Sequence, residues 1–379
     1  MNKKIWLSSP HMSGNEMKYI QEAFNTNWIA PLGSNINEFE NTLQTYLGEN
    51  NFVAALNTGT AGIHLALIMA GVTRGDEVFC QSFTFSASAN PILYLGAKPV
   101  FIDSENDTWN MSPKILEAAI LDRLEKGKKP KAIVVVDSYG MPAKWDQIVA
   151  IAKKYSLFLI EDAASALGST YKNQKCGTFG DFGIISFNGN KIITTSGGGA
   201  LICNNAEIKD KAVFFASQSR DNAPHYQHSE IGYNYRMSNI VAGIGRGQME
   251  VLDKHIALRR AMHDFYMDYF KDIKGVKVFT EPNSNYFSNH WLTAILVNPE
   301  QTGGKTREDL RLALDAANIE SRPLWKPMHL QPVFANDPYY GGTLSESFFN
   351  NGLCLPSGSN LTTKDRDRIK MTLAKFFSE

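Results

Sequence analysis

The chain carries no excess of either charge: 38 Lys and Arg balance 38 Asp and Glu across 379 residues. A formal net charge of zero argues against a general nucleic-acid or anionic-membrane binder. Cysteine is scarce. Cys80, Cys176, Cys203 and Cys354 stand far apart, with no Cys-x-x-Cys pair. They fit a reducing compartment and the role of small buried hydrophobes, and no metal is expected. No apolar run reaches the roughly eighteen residues that a membrane span needs. The opening "MNKKIWLSSPHMSG" is basic but lacks an apolar stretch of signal-peptide length, so a cytoplasmic location is expected. Both common nucleotide fingerprints are missing. There is no Gly-x-x-x-x-Gly-Lys-Ser/Thr loop, and no Gly-x-Gly-x-x-Gly follows a strand. A dinucleotide-dependent enzyme on a doubly wound sheet would lack its first-turn fingerprint.

What is present fits a sizeable globular protein. The composition is 43% hydrophobic and 20% charged, and the length allows two domains. Two helices lead in. "SGNEMKYIQEAFNTN" opens with a Ser13–Glu16 capping box, followed by Met17, Ile20 and Phe24 as an expected core stripe. "NINEFENTLQTYLG" places Phe39, Leu43 and Leu47 on one face and ends at Gly48. A strand over 52–56 then runs into Asn57-Thr58-Gly59-Thr60 and a helix. A small polar turn at a helix N-terminus can cradle a phosphate, or can be a plain capped turn.

From residue 131 the pattern becomes regular. "KAIVVVDSYG" and "LFLIEDAASALG" are apolar runs separated by the amphipathic "PAKWDQIVAIAKKY". Continuous apolar runs alternating with helices indicate a parallel sheet covered on both faces. Ligands of such sheets lie beyond the carboxyl ends of the strands, where Asp137, Glu161 and Asp162 stand. Asp162 there can equally serve as a helix cap. Next comes "SFNGNKIITTSGGGA", with Lys191 between a Ser-Phe pair and three glycines. That layout suits an amine kept partly deprotonated so that it can hold an aldehyde cofactor. The C-terminal portion, from about residue 251, reads as a smaller α+β domain. In it Arg322, Trp325, Lys326, His290 and His329 fall in polar loop contexts. Arg322, Trp325 and Lys326 could serve a nucleotide ring and a diphosphate.

Taken together, "NTGTAGIHLAL", "SFTFSASANPILYLGAKPVFID", "EDAASALGS", "SFNGNKIITTSGGGAL", "GYNYRMSNI" and "RPLWKPMHLQPVF" resemble the DegT/DnrJ/EryC1 family of pyridoxal-phosphate-dependent nucleotide-sugar aminotransferases. The likeness covers nearly the whole chain. It implies the aspartate-aminotransferase fold (fold type I). In that fold, residues 1–250 form a large cofactor-binding domain around a mostly parallel seven-stranded sheet, and residues 251–379 form a small domain. Lys191 matches the lysine that forms the internal aldimine, and Asp162 the acid that pairs with the pyridinium nitrogen. Phe85 matches the ring that stacks on the cofactor, and Gly59, Thr60 and Ser186 the phosphate cradle. Asn234 matches an asparagine that reaches the cofactor phosphate of a neighbouring subunit, which implies a homodimer. Ser165 departs from the His or Gln that many members carry; being shorter, it would need a water to reach the cofactor's phenolic oxygen. Arg322, Trp325, Lys326 and His329 are the candidate nucleotide-sugar contacts.

Members that dehydrate C3 carry His in place of the lysine, so Lys191 favours amination. Within the family the chain looks most like enzymes that aminate C4 of UDP-4-keto-6-deoxy-N-acetylhexosamines, with L-glutamate as donor and ping-pong kinetics. The alternatives are a dTDP- or GDP-linked substrate, or a catalytically silent regulator on the same fold.

Overall fold

The computed structural model describes residues 3–128 and 130–378. Its main sheet is built from β1 (Phe52–Leu56), β2 (Glu77–Gln81), β3 (Lys98–Ile102), β4 (Pro130–Val136), β5 (Phe158–Asp162), β6 (Phe182–Ser186), β7 (Gly199–Cys203) and β8 (Tyr339–Tyr340). The strand order is β1-β7-β6-β5-β4-β2-β3-β8. β7 runs antiparallel to both its neighbours, and the other pairings are parallel. The first seven strands form the expected mostly parallel sheet. The eighth is a two-residue addition from the C-terminal portion that pairs with β3, Tyr339 opposite Phe101. A pair of residues is too short to show a period, so nothing in the residues marks it as a strand.

The continuous apolar runs reflect burial on both faces. Along β4, Ala132 and Val134 join one core, with Leu65, Ile160 and Ile184. Ile133 and Val135 join another, with Trp145, Ile148 and Leu116. Strand side chains alternate in direction, so a strand covered on both sides needs apolar residues at every position. A second, antiparallel sheet of Val276–Val278, Thr293–Val297, Gly352–Leu355 and Arg322–Pro323 packs on the helices Arg307–Ala316 and Thr363–Ser378. Thr306 and Asp309 form a capping box on the first of these helices.

The lead-in helices differ from each other in how they meet the core. Ser34–Leu47 buries Phe39, Leu43 and Leu47 as expected. Glu16–Asn25 instead buries Glu16, Tyr19 and Ala23 against the helix Asn239–Met249, leaving Met17 67% and Phe24 52% exposed. Hydrogen-bonded polar groups decide this orientation. Glu16 accepts from Ser13 N at 2.6 Å and from Gln248 Nε2 at 2.6 Å, and Tyr19 donates to Glu250 at 2.5 Å. Glu16 thus meets the Ser13 backbone while Ser13 Oγ accepts from Asn15 N, so half of the expected capping box forms.

Candidate active site

A cavity of about 510 Å³ opens beyond the carboxyl ends of β5 and β6. Lys191 stands in its wall. The loop that carries it leaves β6 and is pinned in the core by Ile192 and Ile193, 4% and 1% exposed. Lys191 Nζ donates to Ser165 Oγ at 2.9 Å and lies 4.1 Å from the centre of the Trp291 ring. Burial pushes this amine down to about 8, against a smaller upward pull from Asp162. An amine in that range is a usable base and nucleophile near neutral pH.

Asp162 closes β5 and is 4% exposed. Its Oδ2 accepts from Ser88 Oγ at 2.6 Å and its Oδ1 from Ala164 N at 3.1 Å. No helix begins after it, so the capping role does not apply. Burial raises its pKa above the ordinary carboxylate value, while Ser88, Ala164 and the Lys191 charge favour the ionised form.

Opposite, Thr58 caps the helix Gly59–Met69, its hydroxyl accepting from Ala61 N at 3.0 Å. Thr58, Gly59, Thr60 and Ser186 all line the cavity, at the positive end of that helix. The turn lies tight on β7: a Cβ on Gly199 would stand 2.4 Å from Gly59 N and Thr58 C. Of the two phenylalanines flanking Thr84, Phe83 is fully buried, whereas Phe85 lines the cavity and is 61% exposed.

Arg322 and Trp325 reach the same cavity. Arg322 is steadied by Glu320, which accepts from its Nε at 3.0 Å and Nη2 at 2.8 Å. Trp325 stacks on Tyr139 with ring centres 4.2 Å apart. Lys326 and His329 are not among the lining residues. Lys326 is exposed, and both His329 nitrogens are engaged, Nδ1 with Ser82 Oγ at 2.7 Å and Nε2 with Glu346 at 3.3 Å. Asn234 is exposed and also outside the lining; its carbonyl accepts from Asn57 Nδ2 at 3.2 Å.

Sequence reasoning missed several residues that shape the site. Ser88 holds Asp162, and Tyr139, Leu292 and Trp291 line the wall. Ser88 lies inside "SFTFSASANPILYLGAKPVFID" and Tyr139 inside "KAIVVVDSYG", but no spacing there singles them out, and Trp291 and Leu292 lie outside the stretches that carry the resemblance. His290, read as a loop residue, is 3% exposed and stacks on His263 at 3.6 Å. Below the site lies a buried acid pair. Asp137 Oδ1 accepts from Ala143 N and Trp145 Nε1, and Glu161 accepts from Gly177 N and Phe179 N. Burial drives both carboxyls well above the usual range, and Asp137 adds to the rise at Glu161.

The chain matches the DegT/DnrJ/EryC1/StrS aminotransferase family over residues 10–374. It belongs to that family. It is 51% identical over 381 residues to EpsN of Bacillus subtilis (strain 168), covering 100% of this chain and 97% of that one. It is 37% identical to a GDP-perosamine synthase of Escherichia coli O157:H7 over 380 residues, all of both chains. The crystal structure of a DegT DnrJ EryC1 StrS aminotransferase from Brucella abortus superposes with a TM-score of 0.89 at 31% identity, covering 97% of this chain and 96% of that one. The protein is a pyridoxal-phosphate-dependent sugar aminotransferase of fold type I.

The donor set of the cavity fits that cofactor. Lys191 offers a buried amine with a lowered pKa for the aldehyde. The Thr58–Thr60 turn offers hydroxyls and a helix N-terminus for a phosphate, and Phe85 a free aromatic face for a planar ring. Asp162 offers a buried carboxylate for a ring nitrogen.

Among the described residues, no helix is long and apolar enough to cross a membrane.

Proposed function

We propose that the protein aminates C4 of a UDP-linked 4-keto-6-deoxy-N-acetylhexosamine with L-glutamate as the donor. The observation that carries the reading is the setting of Lys191: its amine meets Ser165 Oγ at 2.9 Å, in one cavity with Asp162 and the Thr58–Thr60 turn. The likeness of "SFNGNKIITTSGGG" and "WKPMHLQPVF" to C4-aminating enzymes of UDP-sugars supports the nucleotide and the position.

Pyridoxal phosphate, when bound, supplies an aldehyde that exchanges the amino group and a ring that accepts electrons. The residues supply the rest. Asp162 keeps a ring nitrogen protonated, since a buried carboxylate favours a cation beside it. Gly59, Thr60 and Ser186 hold the phosphate, and Phe85 covers the ring. Ser165 meets the lysine directly, so its role is to orient the Lys191 amine. Lys191 takes a proton from the carbon of glutamate that bears nitrogen and later returns one to C4 of the sugar. One lysine serving two half-reactions gives ping-pong kinetics. Arg322 and Trp325 take the nucleotide diphosphate end.

An exposed apolar surface supports a homodimer. Met17, Phe24, Trp28, Ile29, Leu32 and Ile231 are each at least 49% exposed, and Asn234 lies three residues from Ile231 on the outer loop. Exposed apolar groups of this kind mark interfaces, and the family resemblance implies that Asn234 serves the cofactor phosphate of the neighbouring subunit.

The test is the visible absorbance of the holoenzyme. Glutamate should bleach the cofactor band and a UDP-4-keto sugar should restore it, while Lys191→Ala should abolish turnover. Restoration by a GDP-linked 4-keto sugar alone would move the substrate to the GDP class, a reading favoured by the 37% identity, over the full length, with a GDP-perosamine synthase. A band indifferent to glutamate would overturn the donor.

A further inference from the structure

Trp291 has no part in the scheme above, yet it lines the cavity and is tied to its surroundings by backbone and side chain alike. It is 4% exposed. Its backbone N donates to Asn289 Oδ1 at 2.8 Å, its carbonyl accepts from Arg259 Nη1 at 2.6 Å, and its Nε1 donates to Asn190 O at 2.6 Å. That last bond ties the indole to the residue just before Lys191.

The backbone on either side is arranged around this placement. His290, which precedes Trp291, sits at a positive φ of 45°, a conformation that non-glycine residues rarely adopt. Strain of that kind persists where the surroundings fix it and collects at functional positions. Here Asn289 fixes it. Its Nδ2 donates to Ser165 O at 3.0 Å and Leu167 O at 2.9 Å, the loop that also carries the Lys191 partner Ser165. Gly140 leaves the room, since a Cβ there would stand 2.0 Å from Asn289 Oδ1. Arg259, 1% exposed, donates from its other terminal nitrogen to Ser8 Oγ at 2.9 Å and to Lys191 O at 3.3 Å. One guanidinium therefore sets both Trp291 and the lysine backbone.

The outcome is an indole face 4.1 Å from Lys191 Nζ. We infer that Trp291 is a positioning residue for the Lys191 amine, its ring face receiving the ammonium formed whenever the lysine holds a proton. Aromatic faces attract cations, more strongly where water is excluded, and indole is the strongest of the three rings. The proton balance needs such a place. When Lys191 takes a proton, the electron pair of the broken C–H bond stays on the substrate side and the nitrogen becomes a cation in a mostly apolar cavity. Asp162 is then its one carboxylate neighbour among the groups lining the wall. The other titratable or charged groups around it are Tyr139, Cys354 and Arg322 in the wall and Arg259 at its carbonyl. Neutral Tyr139 and Cys354 lend no charge, and the two guanidiniums oppose a second cation. The Trp291 face offsets that opposition. This rests on Lys191 being the reactive amine and is independent of the sugar or nucleotide.

The experiment titrates Lys191 in the cofactor-free protein, using lysine labelled with 13C at Cε and Lys191→Ala to assign its signal. Trp291→Leu and Trp291→Phe both lose the bond to Asn190 O, so the difference between them reads the ring face alone. The leucine variant should titrate about one unit below wild type, and the phenylalanine variant should recover part of that shift. In the holoenzyme the leucine variant should lose about tenfold in kcat with KM for the sugar little changed. Equal titration of the two variants, or of both with wild type, overturns the inference. Failure of every keto sugar as substrate would overturn the proposed function and leave this titration standing.

Discussion

Lys191→Met should make the cofactor-free protein more stable at neutral pH, and the gain should vanish in alkali. The reason is the cost of a buried ammonium. Burial lowers the lysine from 10.5 to about 8. Below pH 8 it is protonated in both folded and unfolded chains, and the folded state bears the desolvation. Between about pH 8 and 10.5 the folded chain has released the proton and the unfolded chain still holds it. The unfolded state then binds more protons, so stability rises with pH across this window. Above it the amine is neutral in both states and the cost is gone. A displacement of about two and a half units, at roughly 1.4 kcal/mol per unit, amounts to about 3 kcal/mol. Methionine is neutral throughout and of similar length, so its difference from wild type isolates this cost. Other titrating groups are shared and cancel. Urea unfolding of both proteins at pH 7 and pH 10 should show the advantage of the variant shrinking by about 2–3 kcal/mol. A difference that stays constant between the two pH values refutes a desolvated Lys191, and with it the case for a poised amine.

Three further outcomes follow from the site. Phe85→Ala should change the stability of the cofactor-free protein by less than about 0.5 kcal/mol, because the ring is 61% exposed, yet it should weaken pyridoxal phosphate retention on dialysis. An unchanged retention would remove Phe85 from the cofactor's surroundings. Gly199→Ala should cost about 1–3 kcal/mol, since the new methyl meets the backbone of Thr58 and Gly59, which no side-chain rotation can relieve; a neutral result in thermal unfolding would show that the turn yields. Asp137→Asn should flatten the pH dependence of stability. Both buried acids have raised values, so the folded chain binds more protons and stability falls as pH rises from about 4 through those values. An amide at 137 can donate to Glu161 and remove the need for that proton. Melting curves of variant and wild type that run parallel from pH 5 to 8 would refute a raised pair.

The parallel sheet was legible because burial on two faces leaves a signature that one face does not: every position of "AIVVV" is apolar. Lys191 and Asp162 were legible because their neighbours in sequence are also their neighbours in chemistry. Trp291 was not. It comes to within 4.1 Å of an amine one hundred residues earlier only after the second sheet has packed, and nothing near it in sequence marks that meeting. The stripe Met17, Ile20, Phe24 carried a true helical period, but period alone does not say which face turns inward. Glu16 and Tyr19 found partners at Gln248 and Glu250, and that choice turned Met17 and Phe24 outward.

The adjacent acids Glu161 and Asp162 show how the fold completes what the residues begin. In the sequence they are equivalent, two carboxylates at the end of one strand. Successive strand side chains point to opposite faces, so only one of the pair can meet the cavity. Asp162 does so, and Ser88 holds its Oδ2 at 2.6 Å. Glu161 turns to the other face, where it meets Asp137 and Cys176. Among the described residues, no cationic side chain is hydrogen-bonded to either buried acid there, and the backbone N–H groups of Ala143, Gly177 and Phe179, with the Trp145 indole, supply the donors. Four donors for two carboxyls, with Asp137 Oδ2 left without one, fit a single proton held between the pair. A one-residue slip of β5 would exchange the two acids. The register that pairs Val136 with Asp162 and Asp162 with Ile184 therefore sets the chemistry as directly as the identity of the residue does.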